Sequence, residues 1–139
     1  LYDLEETKLP EKRQYILQKL EEIKEEFKPD VVICPNPYDS HQDHETVAKE
    51  CIRSFKYVST IISYIFPWNS LEIKPNYFIK LSKEDVKNKL KMISNYESQQ
   101  KVHRHYFNRE FNISTMRFYA NMINCKYAEA YTLIRYIEE

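Results

Sequence analysis

The chain has 139 residues, 21 Lys plus Arg against 21 Asp plus Glu, and no glycine. Without glycine there is no Walker A loop, no G-x-G-x-x-G dinucleotide turn, no G-x-S-x-G nucleophile elbow and no standard EF-hand loop, because each needs Gly where the backbone bends sharply or meets a phosphate. A net charge of zero gives no global electrostatic drive toward nucleic acid or an anionic membrane.

Pro10 opens a helical pattern in which Ile16, Leu20, Ile23 and Phe27 form one apolar stripe. Lys28-Pro29-Asp30 ends it. Val31 to Cys34 is a short continuous apolar run, which after a helix suggests a buried parallel strand. Two prolines, Pro35 and Pro37, make residues 35–40 a loop. The next helix is expected to start between His41 and Asp43, with Val47, Ala48, Cys51, Ile52 and Phe55 on its buried face. Thr60 to Phe66 and Tyr77 to Leu81 read as strands. Ser82 and Asp85 suggest a capping box ahead of a helix with Val86, Leu90 and Ile93 in register. Ser98 to Arg109 is polar and partly helical in pattern. Met116, Tyr119, Ala120 and Ile123 mark a further helix. Tyr127 to Ile137 is ambiguous: β-branched and aromatic residues favour a strand, Ala-Glu-Ala a helix. Alternating helices and strands place the chain in the α/β class, read as one domain over residues 1–139. In the absence of glycine, Asn, Asp and Pro are expected to make the tight turns.

Cys34, Cys51 and Cys125 are odd in number, with no C-x-x-C pair. Free thiols in a reducing, cytoplasmic compartment are expected, rather than a disulfide framework or structural zinc. The longest apolar stretch, Tyr57 to Trp68, is too short and too polar to span a bilayer. The first residues show no signal-peptide pattern. The chain opens on Leu1 and its first methionine is Met92, which suggests a processed start or a piece of a longer chain.

The densest chemistry lies in Asp39-Ser40-His41-Gln42-Asp43-His44. It follows the expected β-strand, where open α/β sheets place their sites. On a helix, His41 and His44 stand at i and i+3 and share a face. Neutral imidazole is a common zinc ligand, and a neighbouring carboxylate can fix its tautomer. Two histidines do not complete a catalytic zinc, which takes about three protein ligands and an open position. The alternative is an ordinary polar helix N-terminus, capped by Asp39 or Ser40, with the histidines in solvent.

Lys28-Pro29-Asp30-Val31-Val32-Ile33, a loop, then Asp39-x-His41-x-Asp43-His44 resembles the second signature of the PIG-L/LmbE-like zinc-dependent N-acetyl-sugar deacetylases. Tyr96-Glu97-Ser98-Gln99 is similar to that family's helix ending in Ser-Gln. Tyr127-Ala128-Glu129-Ala130-Tyr131 is similar to its late strand, which favours strand there. The resemblance runs from Lys28 to Ile137. It implies a Rossmann-like, mostly parallel sheet flanked by helices. The family's opening strand and its A-H-P-D-D-E motif, source of two zinc ligands and the general base, are absent. By the resemblance the chain is the C-terminal portion of a deacetylase-like domain lacking its first strands, and inactive alone.

Carried over, His44 is the third zinc ligand. His41 polarises the acetyl carbonyl and protonates the leaving amine. Asp43 orients His41 and favours its protonated form, and Asp39 supports the site or touches substrate. The implied activity is hydrolytic deacetylation of an N-acetylglucosamine-containing sugar or glycoconjugate with Zn2+. The implied partners are an N-terminal segment or a second copy. The alternative is a degenerate deacetylase-like module that binds a glycan or partner without catalysis.

Other features carry less. Lys101 to Arg109 mixes basic and aromatic residues, but on a neutral chain it reads as a surface helix, and no nucleic-acid partner is expected. Cys34 could pair with His41 as a nucleophile, but a small buried residue is the simpler reading. Trp68 could stack on a sugar or anchor its loop.

Overall fold

The computed structural model describes residues 3–70, 72–97 and 104–138. A 3-10 turn at Leu9–Lys12 leads into α1 (Arg13–Phe27), followed by β1 (Val31–Cys34), α2 (Gln42–Ser54), β2 (Thr60–Tyr64), β3 (Tyr77–Lys80) and α3 (Lys83–Ser94). A second 3-10 turn at His105–Phe107, α4 (Arg109–Met122) and β4 (Ala128–Tyr136) complete the order. The strands lie in the order β1-β2-β4-β3. The chain divides into two compact units, Leu1–Asn76 with Tyr131–Glu139, and Tyr77–Ala130.

The first unit holds the candidate chemistry. Cys34, Cys51, Phe55 and Ile61 form its core, and Leu20, Ile23, Val32, Val47 and Ile134 pack against them. The expected stripe on α1 therefore buries itself against α2, except at its end, where Phe27 is 68% exposed. Lys28 takes the left-handed conformation (φ 44°) and donates its N–H to Lys24 O, ending α1 where another chain would use glycine. Among the described residues the other positive φ angles fall on Thr7 and Asn124, so Thr and Lys join Asn in these turns.

Two strand expectations are corrected. β1 is not a buried strand: Val31 and Ile33 are 51% and 61% exposed, while Cys34 is buried. Successive side chains of a strand point to opposite faces, so Val31 and Ile33 meet water on one face while Cys34 reaches the core on the other. Nor is the sheet mostly parallel. β1 pairs β2 in parallel, Val31 opposite Thr60 through Cys34 opposite Ser63. β2 pairs β4 antiparallel, with an irregularity at Ile61/Ile62. A mixed α/β sheet results. β2 ends at Tyr64, earlier than the expected Phe66, ahead of the turn at Pro67.

In the second unit, Ser82 and Asp85 exchange the reciprocal bonds of a capping box at the start of α3. Asn108 caps α4 by accepting from Phe111 N. Val86 of α3 and Met116, Tyr119 and Ala120 of α4 are buried. The ambiguous last segment is a strand, β4. The Ser98-Gln99 ending and His103 lie outside the described residues.

Candidate active site

The site forms where parallel β1 and β2 deliver their C-terminal loops side by side. Prolines 35 and 37 keep the β1 loop out of the sheet, and side-chain turns shape it. Asn36 Oδ1 accepts from Tyr38 N at 2.9 Å. Asp39 Oδ1 accepts from His41 N at 2.8 Å. Ser40 N donates to Asn69 O at 3.0 Å, tying this loop to the one after β2.

Asp39 is committed to two groups at once. Its other oxygen, Oδ2, lies 3.0 Å from His44 Nδ1, and the Asp39 side chain is 1% exposed. A carboxylate only accepts, so His44 donates from Nδ1 and keeps its lone pair on Nε2. Asn69 Nδ2 stands 3.4 Å from the same Nδ1. The carboxylate is closer and its bond is charge-assisted, so it sets the tautomer.

His41, not Asp39 or Ser40, is the N-cap of α2. Its Nδ1 accepts from Asp43 N at 3.2 Å, which leaves its own N–H on Nε2 in the neutral ring. The Asp39 oxygens face His41 N and the His44 ring instead. The rings of His41 and His44 stack with centroids 4.5 Å apart. Two imidazoles thus stand together, one a lone-pair donor at Nε2 and the other a proton donor at Nε2.

Asp43 points elsewhere. It is buried, and its carboxylate accepts Thr7 N at 2.6 Å and Leu9 N at 3.2 Å. Gln42 adds a side-chain bond to Thr7 O. Asp43 therefore touches the His41 ring through its backbone N–H, while its carboxylate fastens the N-terminal segment to the first turn of α2.

Sequence reasoning missed the far wall. Phe66 lies 5.4 Å from His44 and 4.9 Å from Tyr64, centroid to centroid. Burial, with smaller contributions from Cys34, Asp39 and Cys51, pushes the Tyr64 phenol up to about 12, so it stays a neutral donor. The available signal was the set of aromatics Tyr64, Phe66 and Trp68, at the end of and just after the strand parallel to the one before the Asp-His cluster. Cys34 is 1% exposed and burial pushes its thiol up to about 11. It is a neutral core residue and not an activated nucleophile.

His44, with Nδ1 held by a buried carboxylate, leaves an Nε2 lone pair of the kind metal-binding histidines use. A complete set is another matter. Among the described residues no group of three or more His, Cys, Asp or Glu is arranged to hold a metal ion. The described residues offer His44 and do not by themselves complete the ligand set of a catalytic zinc. No described helix is long and apolar enough to cross a membrane.

Residues 1–55, which include the whole Asp-His cluster, match the family model described as PIG-L: GlcNAc-PI de-N-acetylase. No curated protein matches the chain. Among solved structures, the N,N'-diacetylchitobiose deacetylase of Pyrococcus horikoshii is similar with a TM-score of 0.72 and 22% identity, over 94% of this chain and 55% of that one. The conserved protein TT1542 of Thermus thermophilus is similar with a TM-score of 0.70 and 19% identity, over 94% of this chain and 61% of that one. The chain thus spans less than two thirds of either neighbour, and the likeness is one of fold. Residues 1–55, with the Asp-His cluster, thus match the PIG-L family model, and the chain shares its fold with these two structures.

Proposed function

We propose that this chain is part of a zinc-dependent hydrolase that removes the acetyl group from an N-acetylglucosamine-containing sugar or glycoconjugate. The observation that carries the reading is the Asp39–His44 pair stacked against His41, within the residues that match the deacetylase family. His44 would offer Nε2 to zinc, held in place by Asp39. When bound, zinc would make its water a nucleophile near neutral pH. The remaining ligands and the general base would come from residues other than those described, in an N-terminal segment or a second copy.

The chain's own part is the acid side. His41 carries its proton on Nε2, where it can donate to the acetyl oxygen and stabilise the negative charge that develops there. When the C–N bond breaks, the departing amine leaves poorly without a proton; for His41 to supply it, the ring would first take up a second proton at Nδ1, releasing the bond from Asp43 N, and return to the neutral form on handing over the Nε2 proton. Asp43 sets the first turn of α2, from which both imidazoles project. The three free cysteines support a reducing, cytoplasmic setting.

A second reading is a deacetylase-like module that binds a glycan or partner without catalysis. Acetate release from N-acetylglucosamine glycosides by the intact protein separates the two. The deacetylase reading expects release that His44→Ala abolishes together with bound zinc, and that His41→Ala lowers by about 100-fold or more with zinc retained. Saccharide binding with no acetate released, at full zinc loading, would establish the binding module instead.

A further inference from the structure

A cleft that the acid chemistry does not use lies at the far end of α2. Its volume is about 420 Å³, within the range of small-molecule pockets. Leu17, Glu21 and Lys24 of α1 form one side. Arg53 and Ser54 at the end of α2, with Lys56 and Tyr57 just after it, form the other. α2 runs for 13 residues from its cap at His41. At 1.5 Å per residue that is about 20 Å, so the cleft is separate from the Asp-His loop.

The charges around the cleft do not cancel. Lys24 bonds Glu21 and also donates to Ser54 O at 3.2 Å, so that pair is neutral and tied down. Arg53 shares the one buried carboxylate of Glu50 with Arg13, which leaves positive charge in excess. Lys56 makes no ion pair among the described residues, and its Nζ stands 4.8 Å from the Tyr57 ring centroid. Arg53 reaches Glu50 through a single Nη, so most of its N–H groups, and those of Lys56, remain for a ligand.

Excess positive charge with uncommitted donors selects an oxyanion, and Arg beside Lys suits a phosphate. A bare phosphate would leave much of the cleft unfilled. Leu17 adds apolar surface, and the Tyr57 ring, 83% exposed, adds an open aromatic one. A planar base stacks on such a ring whatever its identity. We infer that this cleft binds a nucleoside monophosphate, with the phosphate on Arg53 and Lys56 and the base against Leu17 and Tyr57. The site does not depend on the deacetylase reading.

Calorimetry of the 139-residue chain with adenosine monophosphate, adenosine and inorganic phosphate tests the site, with circular dichroism to check the fold of each variant. The nucleotide is expected to bind about tenfold or more tighter than either part alone, the scale of one base stacked on an aromatic side chain. Tyr57→Ala should erase the advantage over phosphate, and Tyr57→Phe should keep it. Lys56→Glu should weaken the nucleotide by about tenfold or more. His44→Ala should leave its binding unchanged. Four results would overturn the site: a folded chain that does not bind millimolar nucleotide, phosphate binding as tight as the nucleotide's, nucleotide binding that survives both Tyr57→Ala and Lys56→Glu, or binding lost in His44→Ala.

Discussion

Asp39 is the residue on which the site turns. One oxygen holds the backbone of His41 and the other holds the ring of His44, so a single buried carboxylate places both imidazoles. Asp39→Asn keeps an acceptor for His41 N and, if the amide nitrogen faces His44, cannot accept from Nδ1. The intact protein carrying this change is expected to lose about 10–100-fold in zinc affinity or acetate release. Zinc competition with a chromogenic chelator reads the affinity, and unchanged affinity would remove Asp39 from this role. The Asp43 carboxylate lies on the N-terminal segment rather than on the His41 ring, and meets backbone N–H groups from residues 36 and 34 positions earlier in the chain.

At the scale of elements, α1 and α2 are joined by more than their apolar faces. Glu50 of α2 is fully buried and lies between Arg13 of α1 and Arg53, with side chains 52% and 55% exposed. The two sides of this cluster are unequal. Removing the arginines strands a charge in the interior, whereas removing Glu50 leaves two arginines that already reach water. Arg13→Met with Arg53→Met is expected to cost about 3–5 kcal/mol in urea unfolding, and Glu50→Gln distinctly less. Equal losses would show that the cluster acts as simple packing.

The helices were legible in the sequence because i, i+4 spacing is a local signal. Ile16, Leu20 and Ile23 mark α1, and the Ser82/Asp85 pair marks the start of α3. The surroundings of β1 were not legible, since Val31 to Cys34 reads the same at the edge of a sheet as in its middle. The parallel or antiparallel sense of β4 depends on strand order, which no local pattern encodes. In the site, the Asp-His cluster was visible as a run of residue types. The N-cap was misplaced because the fold diverts Asp39 to His44, and the Asp43–Thr7 tie and the Phe66 wall are long-range contacts.

For the whole molecule, buried thiols set an alkaline limit on stability. Burial pushes Cys34 from 9.0 up to about 11, and Cys51 up to about 12, with smaller contributions from Cys34 and Glu50 for the latter. Above pH 9 the unfolded chain ionises these thiols while the folded chain keeps its protons, so the unfolded state is increasingly favoured. Unfolding free energy is expected to fall as pH rises from about 9 through about 11–12. Cys34→Ala with Cys51→Ala, though less stable at pH 7, should lose less over that rise. An equal loss in the double variant would assign the limit to other groups.

The central claim is that this chain holds one prepared zinc ligand, His44, and lacks a complete set among its described residues. Zinc titration of the 139-residue chain by calorimetry, beside His44→Ala and His41→Ala, tests it most directly. Weak binding is expected, lost in His44→Ala and kept in His41→Ala. Tight stoichiometric zinc in the unaltered chain, or zinc binding that survives His44→Ala, would contradict it.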